Sequence, residues 1–238
     1  MVRSGLKYDF GLGFWGPNGH DGIWHLSLIN QLKQPIPPQN PVFSGTTLSQ
    51  YHWGFDLLVP LLSTFTFLNP SILYFQILPF IFALLIGFLS YKLAYLITKN
   101  NRVSLFFVIL NYFAGSFGWI YTLLVNRHFG GESLFWSMQS ASTLLNPPFA
   151  LSLILTLTGL ILWQKYQTKS PKYAVIIGLI FGFLSGIKVY AGILVGLGFS
   201  LLCLYNLFFD KPKFKFNAVI CLTTVSYTHL TLPTIYAV

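Results

Sequence analysis

Residues Ser71–Ile97 read SILYFQILPFIFALLIGFLSYKLAYLI, a run in which Lys92 is the only charged side chain. A helix needs about 20 mostly apolar residues to cross about 30 Å of hydrocarbon. The run meets that length, with Pro79 as the expected kink. It therefore predicts a chain solvated in part by lipid. The whole composition agrees, because 54% of the 238 residues are hydrophobic and only 8% are charged. A water-facing domain carries about 25% charged residues, so this chain cannot cover itself in water.

Further apolar runs follow. Val103–Val125 has Gly115 and Gly118 as small faces for close helix contact. Phe149–Trp163 begins after Pro147-Pro148. Tyr173–Phe209 is too long for one span and is interrupted at Gly186-Ile187-Lys188, which predicts two helices, 173–186 and 189–209. Asn217–Thr224 reads as the beginning of another span, while Val225–Val238 (VSYTHLTLPTIYAV) breaks the pattern with His229 and Pro233. That tail resembles a translated sequencing adapter and is expected to be non-native, so the chain reads as a fragment. The expected fold is all-α: a polytopic transmembrane helix bundle with a long outward-facing loop carrying a short surface helix. Residues 1–70 form that loop, 71–224 the bundle (spans about 71–97, 103–125, 149–163, 173–186 and 189–209), and 225–238 the tail.

The formal charge of +9 would point to nucleic acid in a soluble protein. Here the cations gather in short clusters between apolar runs: Lys99 and Arg102, then Lys165, Lys169 and Lys172, then Lys211, Lys213 and Lys215. Pairs of spans separate the clusters, so all three can face the cytoplasm together, and no nucleic-acid partner is expected. Residues before Ser71 and the loop Asn126–Asn146 then face outward, carrying Asp9, Asp21, Asp56 and Glu132. No signal-peptide pattern follows Met1. Cys203 and Cys221 lie in apolar stretches without metal or redox spacing and read as small apolar residues.

Chemistry is expected in the outward segments. After the turn formers Gly16-Pro17-Asn18-Gly19, the stretch His20-Asp21-Gly22-Ile23-Trp24-His25 leads into Leu28, Ile29 and Leu32. That spacing predicts an amphipathic helix starting near Asp21, too short and polar to span and suited to the membrane surface. Asp21 and His25 are four apart and share a face, an arrangement that can tune an imidazole for acid–base work; the plainer reading of Asp21 is a helix N-cap. His52 and Asp56 repeat the four-residue spacing. Tyr51, Trp53 and Phe55 suit a membrane interface. Asp56 instead enters the apolar run Leu57–Leu62, and an ionisable group at such a boundary is a functional candidate. Asp21, His25 and Asp56 are thus the candidate catalytic residues. His20, His52, Arg127, Glu132 and Lys188 are candidate substrate contacts, against plainer readings of a loop histidine, solvated loop charges and a snorkelling lysine. Asn146 reads as a helix-start turn.

Two patterns mislead. Gly11-Leu12-Gly13-Phe14-Trp15-Gly16 matches G-x-G-x-x-G, but Pro17-Asn18-Gly19 follows it instead of a helix, which removes the dinucleotide reading. His20, Asp21, His25 and His52 lack the spacing of a zinc motif.

The stretch HDGIWHLSLINQL…PPQNPVFSGTTLSQYHWGFDLL, with GFLSGIKVYAGIL downstream, resembles the GT-C superfold of membrane glycosyltransferases, in particular bacterial relatives of the lipid-A and mannosyl transferase type. The resemblance covers roughly residues 10–210 and is distinctive only in the first loop. It implies sugar transfer from a polyprenyl-phosphate donor to an envelope acceptor at the outer face of a bacterial plasma membrane, with membrane lipids and the lipid-linked sugar as partners. It also implies that an acid in the first outer loop, here Asp21, deprotonates the acceptor or helps hold a divalent cation. His20 stands where many members of the family have a second acid. The rival classes are a transporter, favoured by Lys188 at its helix break, and a non-catalytic partner in envelope assembly.

Overall fold

The computed structural model describes residues 3–33, 37–48, 51–115, 118–127, 139–167 and 169–231. Helices dominate the described residues. A two-residue hairpin, β1 (Lys7–Tyr8) against β2 (Gly11–Leu12), precedes a 3-10 turn at Gly16–Gly19. Then come α1 (Asp21–Gln31), α2 (Gly54–Thr66), α3 (Pro70–Ile72), a π-helical turn (Leu73–Ile77) and α4 (Leu78–Thr98). The remainder is α5 (Asn101–Phe113), α6 (Gly118–Asn126), α7 (Gln139–Leu145), α8 (Pro147–Tyr166), α9 (Pro171–Ile187), α10 (Val189–Phe209) and α11 (Lys211–Thr231).

Among the described residues three helices are long and apolar enough to cross a membrane: Pro70–Thr98, Pro147–Tyr166 and Val189–Phe209. The first contains the opening run almost to the residue. Asn69 caps it by accepting from the Ser71 backbone N–H. The π turn lies directly before Pro79, where the proline's missing N–H falls in the first turn of α4. The second span is longer than the expected 149–163. Proline is tolerated in a first helical turn, so Pro147 and Pro148 are part of it, and Asn146 caps it through Phe149 N–H. The break at Lys188 is where the sequence placed it, between α9 and α10.

Other expectations are corrected. The run 103–125 is not one span: α5 ends at Phe113, Ala114 is extended (φ −67°, ψ 140°), and α6 starts afresh at Gly118. The glycines expected as packing faces flank the break. Lys211, Lys213 and Lys215 stand in the first turns of α11 rather than in a loop, and α11 runs on through His229 to Thr231, into the stretch expected to be a tail. Residues 232–238 lie outside the described residues.

Packing is closest where a side chain is missing. A Cβ on Gly178 of α9 would lie 2.6 Å from Thr223 and 3.0 Å from the Ile220 carbonyl of α11; such small residues let helix backbones approach in lipid. Asn111 Nδ2 donates to Ser90 Oγ at 2.6 Å between α5 and α4, and Trp163 Nε1 to Asn217 Oδ1 at 2.9 Å between α8 and α11. Large apolar side chains remain exposed along α4 (Phe80, Leu84, Phe88) and α10 (Leu194, Leu201, Phe208). Patches of this extent are uncommon on soluble monomers, and hydrocarbon covers them without cost.

The segment before α3 folds back on the spans. The apolar face expected to lie on a membrane surface is packed inside the protein: Leu28 and Ile29 of α1 are fully buried, Leu28 with Leu32 and Leu48, Ile29 in the main core. Phe55, expected at an interface, is also fully buried. Two hydrogen bonds strap the first described residues to the start of the first span: Ser71 Oγ donates to Gly5 O at 2.8 Å and Gln76 Nε2 to Ser4 O at 2.7 Å. Gly5 has φ +75°, and a Cβ there would meet the Phe75 ring, so glycine is required for the strap.

Candidate functional site

The site forms where three helix ends meet. The π turn brings Tyr74 to α1, and the ring of His25 stacks on it with centroids 5.5 Å apart and planes at 30°. The first turn of α2 supplies Asp56, whose Oδ1 lies 2.7 Å from His25 Nδ1. The α9–α10 break supplies Lys188. Gly54 makes the junction close: a Cβ there would sit 2.7 Å from the Gly186 carbonyl oxygen.

The sequence grouped its acids and histidines by local spacing, and the structure regroups them. Asp21 does not bond His25; its Oδ1 meets His20 Nδ1 at 2.9 Å, on the surface. A residue at the helix start is as near to its chain neighbour as to the next turn, and His20 is free to swing to it. His52 does not bond Asp56, because α2 begins only at Gly54 and His52 lies in the irregular segment before it. The pair that forms is His25 with Asp56, 31 residues apart, with side chains 6% and 0% exposed. Arg127 follows α6, exposed at φ +58° and without an ion pair among the described residues. Glu132 lies outside the described residues. Tyr74 was hidden from the sequence reading, as one more aromatic in an apolar run. For the His25–Asp56 contact there was a partial signal: a carboxylate entering an apolar helix needs a partner, and His20, His25 and His52 were the near candidates.

Electrostatics separate the groups further. Burial pushes the Asp56 carboxyl up from the ordinary carboxylate range, against the opposing pull of His25 and, less, of Lys188. Asp56 Oδ2 and His52 Nε2 are buried without a hydrogen-bond partner. Burial lowers Lys188, and the charges of Asp56 and Asp21 hold it back. Its ammonium forms no ion pair among the described residues. Tyr51 is pushed up to about 12, first by burial and then by Asp56, so its hydroxyl stays protonated.

His52 is driven down to about 4 by burial first, then by Lys188 and His25. It is therefore a neutral imidazole at pH 7. The unfolded chain takes this proton near pH 6.5 and the folded one only near 4. The unfolded state then binds more protons between these values, so stability is lost as pH falls through that window. Thermal unfolding of the detergent-solubilised protein is expected to shift to lower temperature from pH 7 to pH 4. The shift should be smaller in His52→Gln, and equal pH slopes in the two proteins would remove this role for His52.

The resemblance to the transferases raised a divalent cation as a companion of Asp21. Among the described residues no cluster of three or more His, Cys, Asp or Glu side chains could hold one. Among the described residues His20 is the one such group bonded to Asp21.

All three basic clusters stand at the far ends of the helices from this site. The first span passes His25 at Tyr74, near its start, and runs to Lys99; α9 runs from Lys172 to the site, and α10 from Lys188 to Lys211. No protein-family model matches the chain, and no curated protein or solved structure matches it.

Proposed function

We propose that the protein transfers a sugar from a polyprenyl-phosphate-linked donor to an envelope acceptor at the outer face of a bacterial plasma membrane. The observation that carries this reading is the buried His25–Asp56 pair beside Lys188, which has no ion pair among the described residues, at the end of the helices opposite the basic clusters. Transfer requires a base for the acceptor hydroxyl and positive charge for the departing phosphate. A donor whose tail stays in the bilayer presents its sugar at this level. The acceptor hydroxyl loses its proton and its oxygen bonds to the anomeric carbon. The bond from that carbon to the phosphate oxygen breaks, and its electron pair leaves on the polyprenyl phosphate. Lys188 would offset the charge that develops there. In this reading His52 and Tyr51 border the sugar as neutral groups, and Asp21 with His20 lies at the rim.

The test uses the full chain reconstituted in vesicles of bacterial envelope lipids holding a radiolabelled hexose on polyprenyl phosphate. Time-dependent release of polyprenyl phosphate is expected, reduced about a hundredfold in Lys188→Met. A chain that inserts and folds but releases none with any of the common hexoses would end the proposal. One observation favours a transporter instead: Lys188 occupies a break between two apolar helices, as ion and substrate sites of transporters do. Labelled hexose crossing the vesicle membrane with its donor bond intact would support that reading.

A further inference from the structure

Two acids compete for the proton-transfer role in this reaction, and their surroundings differ. Asp21 is 60% exposed and bonded to His20. Asp56 has no exposed surface, and its Oδ1 contacts His25 Nδ1 at 2.7 Å. A carboxylate sealed in this way cannot reach an acceptor hydroxyl; it can act only through the ring it holds. That ring is fixed on two sides, at Nδ1 by Asp56 and on its face by Tyr74. Its remaining nitrogen, Nε2, has no hydrogen-bond partner among the described residues.

We propose that His25 Nε2 is the atom that takes the acceptor's proton, that Asp56 is a positioning residue acting through His25 Nδ1–H, and that Asp21 is not the base. The inference rests on the sugar-transfer reading above. Its physical content is a choice of tautomer. An imidazole donates from one nitrogen and accepts at the other, and the hydrogen bond made by the first fixes which is which. With Nδ1–H donating to Asp56, the Nε2 lone pair is left to accept the proton. The O–H bond of the acceptor breaks and an Nε2–H bond forms, while the oxygen's electron pair makes the new glycosidic bond. The ring becomes imidazolium between Nε2–H and the Asp56 carboxylate, which stabilises that charge. Water or the departing phosphate then takes the proton from Nε2 and restores the starting tautomer.

The arrangement is testable without the substrate. In ¹⁵N-histidine-labelled full-length protein in lipid nanodiscs, neutral His25 is expected as the Nδ1–H tautomer, assigned by loss of its signals in His25→Gln. Asp56→Asn should move the ring toward the Nε2–H form, because the amide can donate to Nδ1, and Asp56→Glu should restore Nδ1–H. A wild-type ring protonated on Nε2, or a tautomer indifferent to Asp56→Asn, overturns the proposal. The wild-type spectrum decides the matter even if the asparagine variant does not fold. In the vesicle assay, His25→Gln and Asp56→Asn should each slow release roughly a hundredfold or more, and the double variant should be no slower than His25→Gln. Multiplicative losses, or a loss confined to Asp21→Asn, also overturn it. An Nδ1–H ring in a protein that releases no polyprenyl phosphate leaves the pair in place and removes the transferase reading instead.

Discussion

An Asp56→Ala variant is expected to lose about 1–3 kcal/mol of folding stability, the usual effect of leaving a buried donor without its acceptor. Asp56 and His25 lie in a contact closed to water, with Phe55 and Val59 of α2 fully buried nearby in the chain. Alanine would leave His25 Nδ1 without its partner and a cavity where the carboxylate stood. Restoring an apolar fit should recover much of the loss: the double substitution Asp56→Leu with His25→Leu is expected to be more stable than Asp56→Ala alone. Tryptophan fluorescence during thermal unfolding in detergent measures both, since Trp24 and Trp53 lie on the same segment. An Asp56→Ala protein that unfolds at the wild-type temperature would show that the pair does not hold α1 to α2.

The second large effect is expected at Gly54. A Cβ there would come within 2.7 Å of the Gly186 carbonyl oxygen and 3.1 Å of its carbon. These are backbone atoms at the end of a long helix, which cannot yield as a flexible side chain would. Gly54→Val should therefore cost about 1–3 kcal/mol as overpacking and lift the first turn of α2, with Asp56, away from the α9–α10 break. Gly186 gives the contrast, because a Cβ there meets nothing within 4 Å. Gly186→Ala is expected to be neutral or slightly stabilising by helix propensity. Comparable losses in the two variants would show that the close approach is not what makes Gly54 necessary.

The sequence discloses this molecule unevenly, for physical reasons. Spans are legible because lipid demands a property that every residue in a run must share, so Ser71–Ile97 and the break at Lys188 could be read directly. The failure at 103–125 comes from the same rule: apolar composition continued through a point where the backbone turned extended at Ala114. Glycines beside such a point look alike whether they serve close packing or a break. For the site, the residue types were visible and the partnerships were not. Spacing along one helix suggests Asp21 with His25, and a second pair in His52 with Asp56. The partner of His25 was set instead by how α1 rests on α2, a consequence of burying Leu28, Ile29 and Phe55. The clue available was Asp56 itself, too costly to bury alone.

The strap from Ser4 and Gly5 to Gln76 and Ser71 bears on the order in which the molecule comes together. It ties the two ends of the segment that contains α1 and α2, making that segment a closed loop. Closure entropy grows only slowly with length, about 0.6 kcal/mol for each doubling, so the strap and the shorter His25–Asp56 loop cost nearly the same to close on their own. Inside the shut ring His25 and Asp56 have less chain to search than in an open one. The strap, with the burial of Leu28, Ile29 and Phe55, thus narrows the search that ends in the acid–imidazole contact.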